Sequence, residues 1–489
     1  MANTPSSRSV SARHSSCFRT VAALALWLAA VAARAEQATT PSPLPPDPVL
    51  DRLVAESLAA RPEVRQAEAS LNAERERVPQ AGALPDPVLS LGIQNDGFGG
   101  IQIGKMETSF WQVMLSQGLP WPGKRGLRSD VARLGASQAE AAVTRQRLST
   151  EADVRRAYLD LVLVRERLEL LDRLEQIWQT SIGTARARYE SGEGAQSDVL
   201  RSQLELNRIR QRRWTLRAEE AAALQALNRL RAHPLDEPIA TTVRLRDAAL
   251  PPVPSLETAT SDAEARSPEL ARARLTADQA NAQVRLSERE RFPDLSVNVG
   301  IMPRGGLDPM WTAGVSIGLP IWSGRKQNRA VAESEARSTA SARSAETIDQ
   351  VLRLRVAERR STLTALADTV KLYREGLLVQ SRATAESTLS QYRVGRVSFA
   401  SVLDANAGYI NDEDGHLLAV ADALRVAIAS AEVSLEPPSA GGASGGMGGA
   451  AVPGAGATGG GMGGGGGAAP ALAAPAAPTA APSSSSSGM

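Results

Sequence analysis

The chain is written twice. A stretch that begins Arg61-Pro62-Glu63-Val64 and runs to Gly118-Leu119-Pro120 returns about 200 residues later as Ser267-Pro268-Glu269-Leu270 through Gly318-Leu319-Pro320. Each copy keeps one internal order: a polar helical run, a Pro-Asp step (Pro85-Asp86, Pro293-Asp294), two alternating segments, the Gly-Leu-Pro stop, a basic Gly-Lys/Arg step, and a very long helical pattern. A duplication of this length means two copies of one architectural unit. Here the unit joins a strand hairpin to a helical hairpin, which few fold classes do.

The alternation is clearest in the second copy. In Leu295-Ser296-Val297-Asn298-Val299-Gly300-Ile301 the odd positions are apolar and the even ones small or polar, and Trp311, Ala313, Val315, Ile317 and Leu319 continue the pattern. In the first copy Trp111, Val113, Leu115 and Leu119 share a face that Gln117 interrupts. A strand of a soluble sandwich also alternates. Strands of about 10 residues, with an aromatic near an end and small polar residues on the second face, suit an outer-membrane barrel with a wet lumen. Strands are expected near 88–97, 107–119, 294–303 and 309–320. Four strands cannot close a barrel, and lipid does not tolerate an open edge, so several chains must contribute to one barrel.

The N-terminus agrees with export. Arg8, Arg13 and Arg19 precede the apolar run Val21–Ala33, and Ala33-Arg34-Ala35 has the small-x-small form of a signal-peptidase site. Thirteen apolar residues are short for a span that needs roughly 20. Residues 1–35 therefore read as a signal peptide, and 36–48, rich in Pro and Thr, as an extended leader. No later run has the roughly 18 apolar residues of a transmembrane helix. Cleavage changes 55 basic and 53 acidic residues to 51 and 53, a balance that argues against a nucleic-acid partner. The only cysteine, Cys17, leaves with the signal, so no disulfide or Cys-based metal site is expected. His233 and His416 show no ligand spacing and are expected as isolated surface or loop residues. No nucleophile elbow, His-Glu-x-x-His or phosphate loop is present, so neither a catalytic residue nor a cofactor is assigned.

Residues 49–232 form the first repeat and 262–435 the second, with a Pro-rich connection at 233–261. A helical pattern from Val49 to about Gln80 stops at Leu84-Pro85-Asp86-Pro87. After Gly123-Lys124-Arg125-Gly126 the helical period runs to about Arg188, roughly 90 Å. One seam is Val164, Leu168, Leu171, Trp178, Ile182, Ala185 and Tyr189. A second, Leu163, Leu170, Leu174 and Ile177, lies beside it and turns polar at Ser181 and Thr184. Two adjacent seams imply neighbours on both sides, as in a cylinder of helices. The second copy repeats the main seam with Leu363, Leu366, Val370, Tyr373 and Leu377. Each long helix ends in a glycine turn, near 190–196 and 393–399, and returns with Ser197-Asp198-Val199-Leu200 or Ala400-Ser401-Val402-Leu403, where Ser or Asp is available as a cap. The tail at 436–489, almost wholly Gly, Ala, Pro, Ser and Met, is expected to be disordered.

This layout, from about Val49 to Leu435, resembles the outer-membrane efflux family whose best-known member is TolC. The resemblance is carried by the duplicated unit, the two Gly-Leu-Pro stops and the paired Tyr-x-x-Gly turns followed by a Val-Leu helix start. It implies a mainly α chain with a membrane β-barrel portion: a homotrimer in which four strands per chain make a twelve-stranded barrel, continued by a periplasmic α-helical barrel. The partners it implies are outer-membrane lipid, a periplasmic adaptor and an inner-membrane pump of the RND or ABC kind. Gly192, Glu193, Gly395 and Arg396 then form the adaptor-docking tip, and Asp198, Tyr392, Ser401 and Asp404 the periplasmic aperture. The family's latch arginine falls on Val397, with Arg396 one place early. Asp198 and Asp404 also read simply as helix caps or solvated first-turn acids. Trp111, Trp121, Lys124, Arg125, Trp311 and Trp322 are expected at the membrane interface, with Lys124 and Arg125 meeting phosphates. Gly118-Leu119-Pro120-Trp121-Pro122-Gly123-Lys124-Arg125 looks most like the branch serving heavy-metal RND exporters. A periplasmic adaptor with long helical hairpins is the alternative, although such proteins usually carry one hairpin and a β-rich body.

Processing is directly checkable. N-terminal sequencing of the protein recovered from membranes is expected to begin at Glu36.

Overall fold

A computed structural model describes residues 47–437. The expected signal peptide, the expected leader before Asp47 and the tail beyond Pro437 lie outside the described residues. The first copy contains α1 (Pro48–Ala60), α2 (Pro62–Gly82), β1 (Val88–Gln94), β2 (Phe110–Leu119), α3 (Lys124–Glu190) and α4 (Gln196–Arg231). The second contains α5 (Leu256–Arg266), α6 (Pro268–Arg289), β3 (Leu295–Arg304), β4 (Leu307–Ile317), α7 (Gln327–Leu372), a π turn (Tyr373–Leu377), α8 (Leu378–Arg393) and α9 (Phe399–Glu432). The single helical pattern expected from Val49 to Gln80 is two helices that begin one residue earlier, at Pro48. Arg61 is extended, as a residue before proline prefers to be, and Pro62 opens α2 where its missing N–H costs nothing.

The four strands form one antiparallel sheet in chain order, so β2 and β3 join the copies and β1 and β4 are left as edges. Register turns the alternation of each strand into one continuous face. Leu91 lies opposite Val113, Val113 opposite Ile301, and Ile301 opposite Trp311. The next row is Leu89, Leu115, Val299 and Ala313. Ser116 and Asn298 pair on the opposite face, where the Ser116 hydroxyl donates to Asn298 Oδ1 at 2.6 Å and Asn298 Nδ2 to Ser316 at 3.0 Å. Gln117, the exception in the apolar row, donates from Nε2 to the Pro85 carbonyl at 2.7 Å and so belongs to the end of the sheet. From Trp111 to Leu119 the face runs about 26 Å at roughly 3.3 Å per residue, the height of an outer-membrane apolar band.

At the helical end of the sheet the copies are locked together. The Trp121 ring stacks on Phe292 at 5.5 Å, and its backbone N–H donates to Asp294 Oδ1 at 2.9 Å. Lys124 Nζ donates to the same oxygen and to the Phe292 carbonyl, both at 2.7 Å. Lys124 is buried, which corrects the expectation that it meets phosphates: its charge is held by the Pro-Asp step of the other copy. Arg125 stays exposed and donates to the Gly82 carbonyl at 2.7 Å.

Helix α3 covers 67 residues, about 100 Å, and packs against α2, α4, α6 and α9. Both seams are buried through Trp178 except at Leu168 and Ile177, which are half-buried; Ser181 and Ala185 continue them, and Tyr189 emerges exposed. The main core sits midway, where Val154, Tyr158, Leu159 and Leu161 of α3 meet Leu50 and Leu53 of α1 and Leu417, Val420 and Leu424 of α9. Side chains buried this completely contribute about 1.5–3 kcal/mol each. The connection between the copies is tied to this core by Glu166, whose carboxylate accepts the backbone N–H groups of Leu245 and Arg246.

The second long helix differs from the first in its π turn. Tyr373 points at α9 and fits because Gly415 has no side chain: a Cβ there would lie 2.5 Å from the Tyr373 hydroxyl. Arg374 donates to His416 Nε2 at 3.2 Å and to the Ala248 carbonyl at 2.8 Å, so the turn clamps α9 and the connection together. His416 is 1% exposed, against the expectation of a surface histidine. His233 is partly exposed and pairs with Glu237 at 2.8 Å. Burial, and then the Arg374 charge, push the His416 pKa below its ordinary value. An imidazole kept neutral in the fold takes up its proton more readily when unfolded, so its share of stability is full above about pH 6.5 and falls below it, by up to about 1.4 kcal/mol per pH unit. Urea midpoints at about pH 7.5 and 5.5 should fall less in His416→Gln than in the parent.

Candidate functional site

At the far ends of the two helical hairpins, polar side chains from both copies converge on glycine turns. In the first turn Gly192 takes φ +78°, and the N–H groups of Glu193 and Gly194 both donate to the Arg188 carbonyl, at 2.9 and 2.8 Å. In the second, Gly395 takes φ +74°, with its N–H on the Tyr392 carbonyl at 3.0 Å and Arg396 N–H on Gln391 at 2.9 Å. Only glycine adopts this conformation without strain.

The caps differ from expectation. Ala195, which has no capping side chain, precedes α4. Asp198 is a first-turn acid whose Oδ2 accepts the Tyr392 hydroxyl at 3.2 Å, so it links the hairpins. In the second turn Ser398 is the cap: its hydroxyl accepts the Ser401 N–H at 3.4 Å. Ser401 is half-buried beside it, and Asp404 is exposed on α9. Glu193 and Arg396 are exposed, and Arg396 makes no side-chain contact to Tyr392 among the described residues.

Tyr392 is the centre of the arrangement. It is 3% exposed, against 47% for Tyr189 at the equivalent place in the first copy. Its ring packs against Phe399 at 5.2 Å, and burial, then the Asp198 charge, push its hydroxyl pKa up to about 12, so it is a donor at any physiological pH. Above the ring, 4.9 Å from its centre, lies the guanidinium of Arg188. That group also donates to the Tyr392 carbonyl, and at 3.3 Å to the Glu193 carbonyl. A Cβ at Gly395 would sit 3.2 Å from Arg188 Nη2, so the glycine needed for one turn also makes room for a residue of the other. Arg188 escaped the sequence reading because it looks like an ordinary basic residue in a last helical turn. The available signal was its counterpart, Gln391: the copies differ in charge one place before their shared tyrosine.

The tryptophans expected at a membrane interface fall at two levels. Trp111 and Trp311 lie opposite Ile93 and Ile301 at the loop end of the sheet, and Trp121 and Trp322 follow the Gly-Leu-Pro stops at the helical end. No helix among the described residues is long and apolar enough to cross a membrane.

Two strand hairpins in one sheet, each feeding a long helical hairpin, are the protomer architecture of outer-membrane channels. The family described as outer membrane efflux protein matches residues 53–233 and 259–429, and the chain belongs to that family. Solved structures agree in fold. The outer-membrane channel OprN superposes with a TM-score of 0.68 at 19% identity, covering 79% of this chain and 90% of that one. CusC gives 0.67 at 19% identity, covering 79% and 92%. The open state of the Neisseria gonorrhoeae MtrE channel gives 0.66 at 19%, covering 79% and 89%. A comparison with curated protein sequences returns no match.

The tip geometry sets a measurable hierarchy. Tyr392→Phe should raise hydrogen exchange of the Glu193, Gly194 and Arg396 amides about tenfold, the worth of one hydrogen bond, with Arg188→Met raising it further. Amides in the middle of α3 should not change in either variant.

Proposed function

We propose that this chain is the outer-membrane duct of a tripartite export system. Three copies supply twelve strands to one barrel, and their helical hairpins continue it into the periplasm as a tunnel. An inner-membrane pump of the RND or ABC kind loads the substrate, and a periplasmic adaptor connects pump and duct. The observation that carries this reading is the sheet: an in-register apolar face about 26 Å tall, tryptophans at both ends, and two open edges. An adaptor with long hairpins has no use for such a face, and this chain carries two hairpins where an adaptor usually has one. No catalysis and no cofactor enter the mechanism.

At the far end, Gly192, Glu193, Gly395 and Arg396 lie on the turns and are assigned to adaptor docking. Asp198, Tyr392, Ser401 and Asp404 are assigned to the aperture. Arg188 takes the part that the sequence resemblance gave to an arginine at Val397. It holds the two tips of a protomer together from above Tyr392, while Asp198 holds them from the hydroxyl side. Opening the duct then requires the hairpins to part or to move as one, and charge rings at the constriction filter what passes. The residues that resemble the heavy-metal branch have structural tasks here: Trp121 stacks on Phe292, and Lys124 holds Asp294. Cargo selection belongs to the pump.

Planar-bilayer conductance of the purified trimer tests the assignment. Asp198→Ala with Asp404→Ala should lower cation preference at low salt, where charge rings are least screened. Unchanged selectivity would leave the duct standing and remove these acids from its aperture, whereas a chain that stays monodisperse without detergent would remove the duct.

A further inference from the structure

A cavity of about 1110 Å³ lies where the connection between the copies meets α5, α7 and the end of α9. That is room for a lipid-sized molecule, since sites for small organic ligands usually occupy about 300–1,000 Å³. Pro251, Val356, Leu363 and Ala427 give it an apolar wall. Its charged residues are four arginines, Arg244, Arg266, Arg359 and Arg360, against two acids, Asp247 and Asp262. Most of that charge is accounted for. Arg266 pairs with Asp262 at 2.8 Å, Arg244 with Glu169 at 3.2 Å, and half-buried Arg360 donates to the Pro254 carbonyl at 3.1 Å.

Arg359 is the exception. It is 2% exposed, yet its hydrogen bonds go to neutral groups, from Nη2 to the Ser434 and Glu436 carbonyls. Those two bonds explain why an arginine stands here, since they hold the chain as it leaves α9. They use one nitrogen of three. Nε is buried without a partner, and Nη1 donates to nothing among the described residues. The carboxylates around it are taken by other arginines: Glu432 by Arg145 and Arg156, and Glu358 by Arg355 at 2.7 Å. Burial, then the charges of Arg355, Arg156 and Arg145, pull the Arg359 pKa down to about 10, which leaves it a cation at neutral pH. A buried charge without a counter-ion is among the costliest features a fold can carry, and this one lines a cavity.

We propose that this cavity binds an anionic amphiphile, a carboxylate or phosphate on an apolar body. The head group pairs with the Arg359 guanidinium, whose Nε and Nη1 protons are uncommitted, and the body lies along Val356, Leu363 and Ala427. Such a bond is charge-assisted on both sides and is strongest where water is excluded. A neutral apolar ligand would cover the wall and leave the charge; a small inorganic ion would meet the charge and leave the wall wet. The ligand bridges the connection to α7 and α9. Arg359 precedes Tyr392 by 33 positions, roughly 50 Å along the helix, so the site is separate from the tip and the inference does not rest on the duct reading.

Native mass spectrometry of the purified protein counts bound ligand directly, because detergent is stripped in the gas phase. Dodecanoate and dodecyl phosphate are expected to add one molecule per chain, and dodecanol and dodecylammonium none at the same concentration. The anion bound more tightly names the head group. Arg359→Gln, which keeps an N–H donor for the Ser434 carbonyl, should weaken anion binding at least about tenfold. Ala259→Trp, at a half-buried lining position on α5, should abolish it by filling the cavity while Arg359 stays, and it decides the matter alone if the first variant does not fold. Equal uptake of anionic, neutral and cationic probes, or uptake unchanged in Ala259→Trp, means an adventitious additive only and overturns the site. Failure of the parent chain to take up either anion overturns it as well.

Discussion

An unpaired strand edge cannot face hydrocarbon, and the rest of this molecule follows from that constraint. Each exposed N–H or C=O costs several kcal/mol where no water can replace its partner. The sheet of one protomer ends in two such edges, β1 and β4, so it is not a finished object. Closure by further copies is the only remedy in lipid. Because each pair of strands runs directly into a helical hairpin, the strand number that closes the sheet also sets how many hairpins surround the axis. The turn at Trp121–Lys124 transmits one count to the other by seating the start of α3 on the Pro-Asp step of the neighbouring unit.

Much of the fold was legible because its periods are long and uninterrupted. The apolar phase of β2, β3 and β4 could be read from alternate residues, and α3 from a seam sustained over many turns. Gln117 looked like a flaw in that phase, since a sequence does not show that its amide reaches the Pro85 carbonyl at the sheet's end. The break at Arg61-Pro62 was legible in principle, because proline opens a helix as readily as it stops one. What the pattern could not show was contact between distant segments. Lys124 read as a lipid-facing cation until Asp294, 170 residues away, was seen to hold it. His416 read as surface because its neighbours Arg374 and Tyr373 come from another helix.

The tip shows the same limit more sharply. Gly192, Gly395, Asp198 and Tyr392 could be picked out by motif, because turn chemistry is local. Arg188 could not, because its importance lies in reaching across to the other hairpin. The copies have diverged where they meet: one tyrosine is buried under a guanidinium and the other exposed. A repeat that began as two equal units now has a holding side and a held side. Gly395 serves both, forming its own turn and clearing the space into which Arg188 extends.

The π turn can be understood as a change of phase. From its first helical residue to its tip tyrosine each copy advances 65 positions, Lys124 to Tyr189 in the first and Gln327 to Tyr392 in the second. A wide turn closes its hydrogen bonds over one residue more than an α turn does, so the second helix falls behind the first in rotation and rise along the way. Equal counts of residues can thus present their tips differently: Tyr392 is buried beneath Arg188, whereas Tyr189 is exposed. The wide turn is a vernier between the sheet and the tip, setting which way the second tyrosine faces without adding a residue.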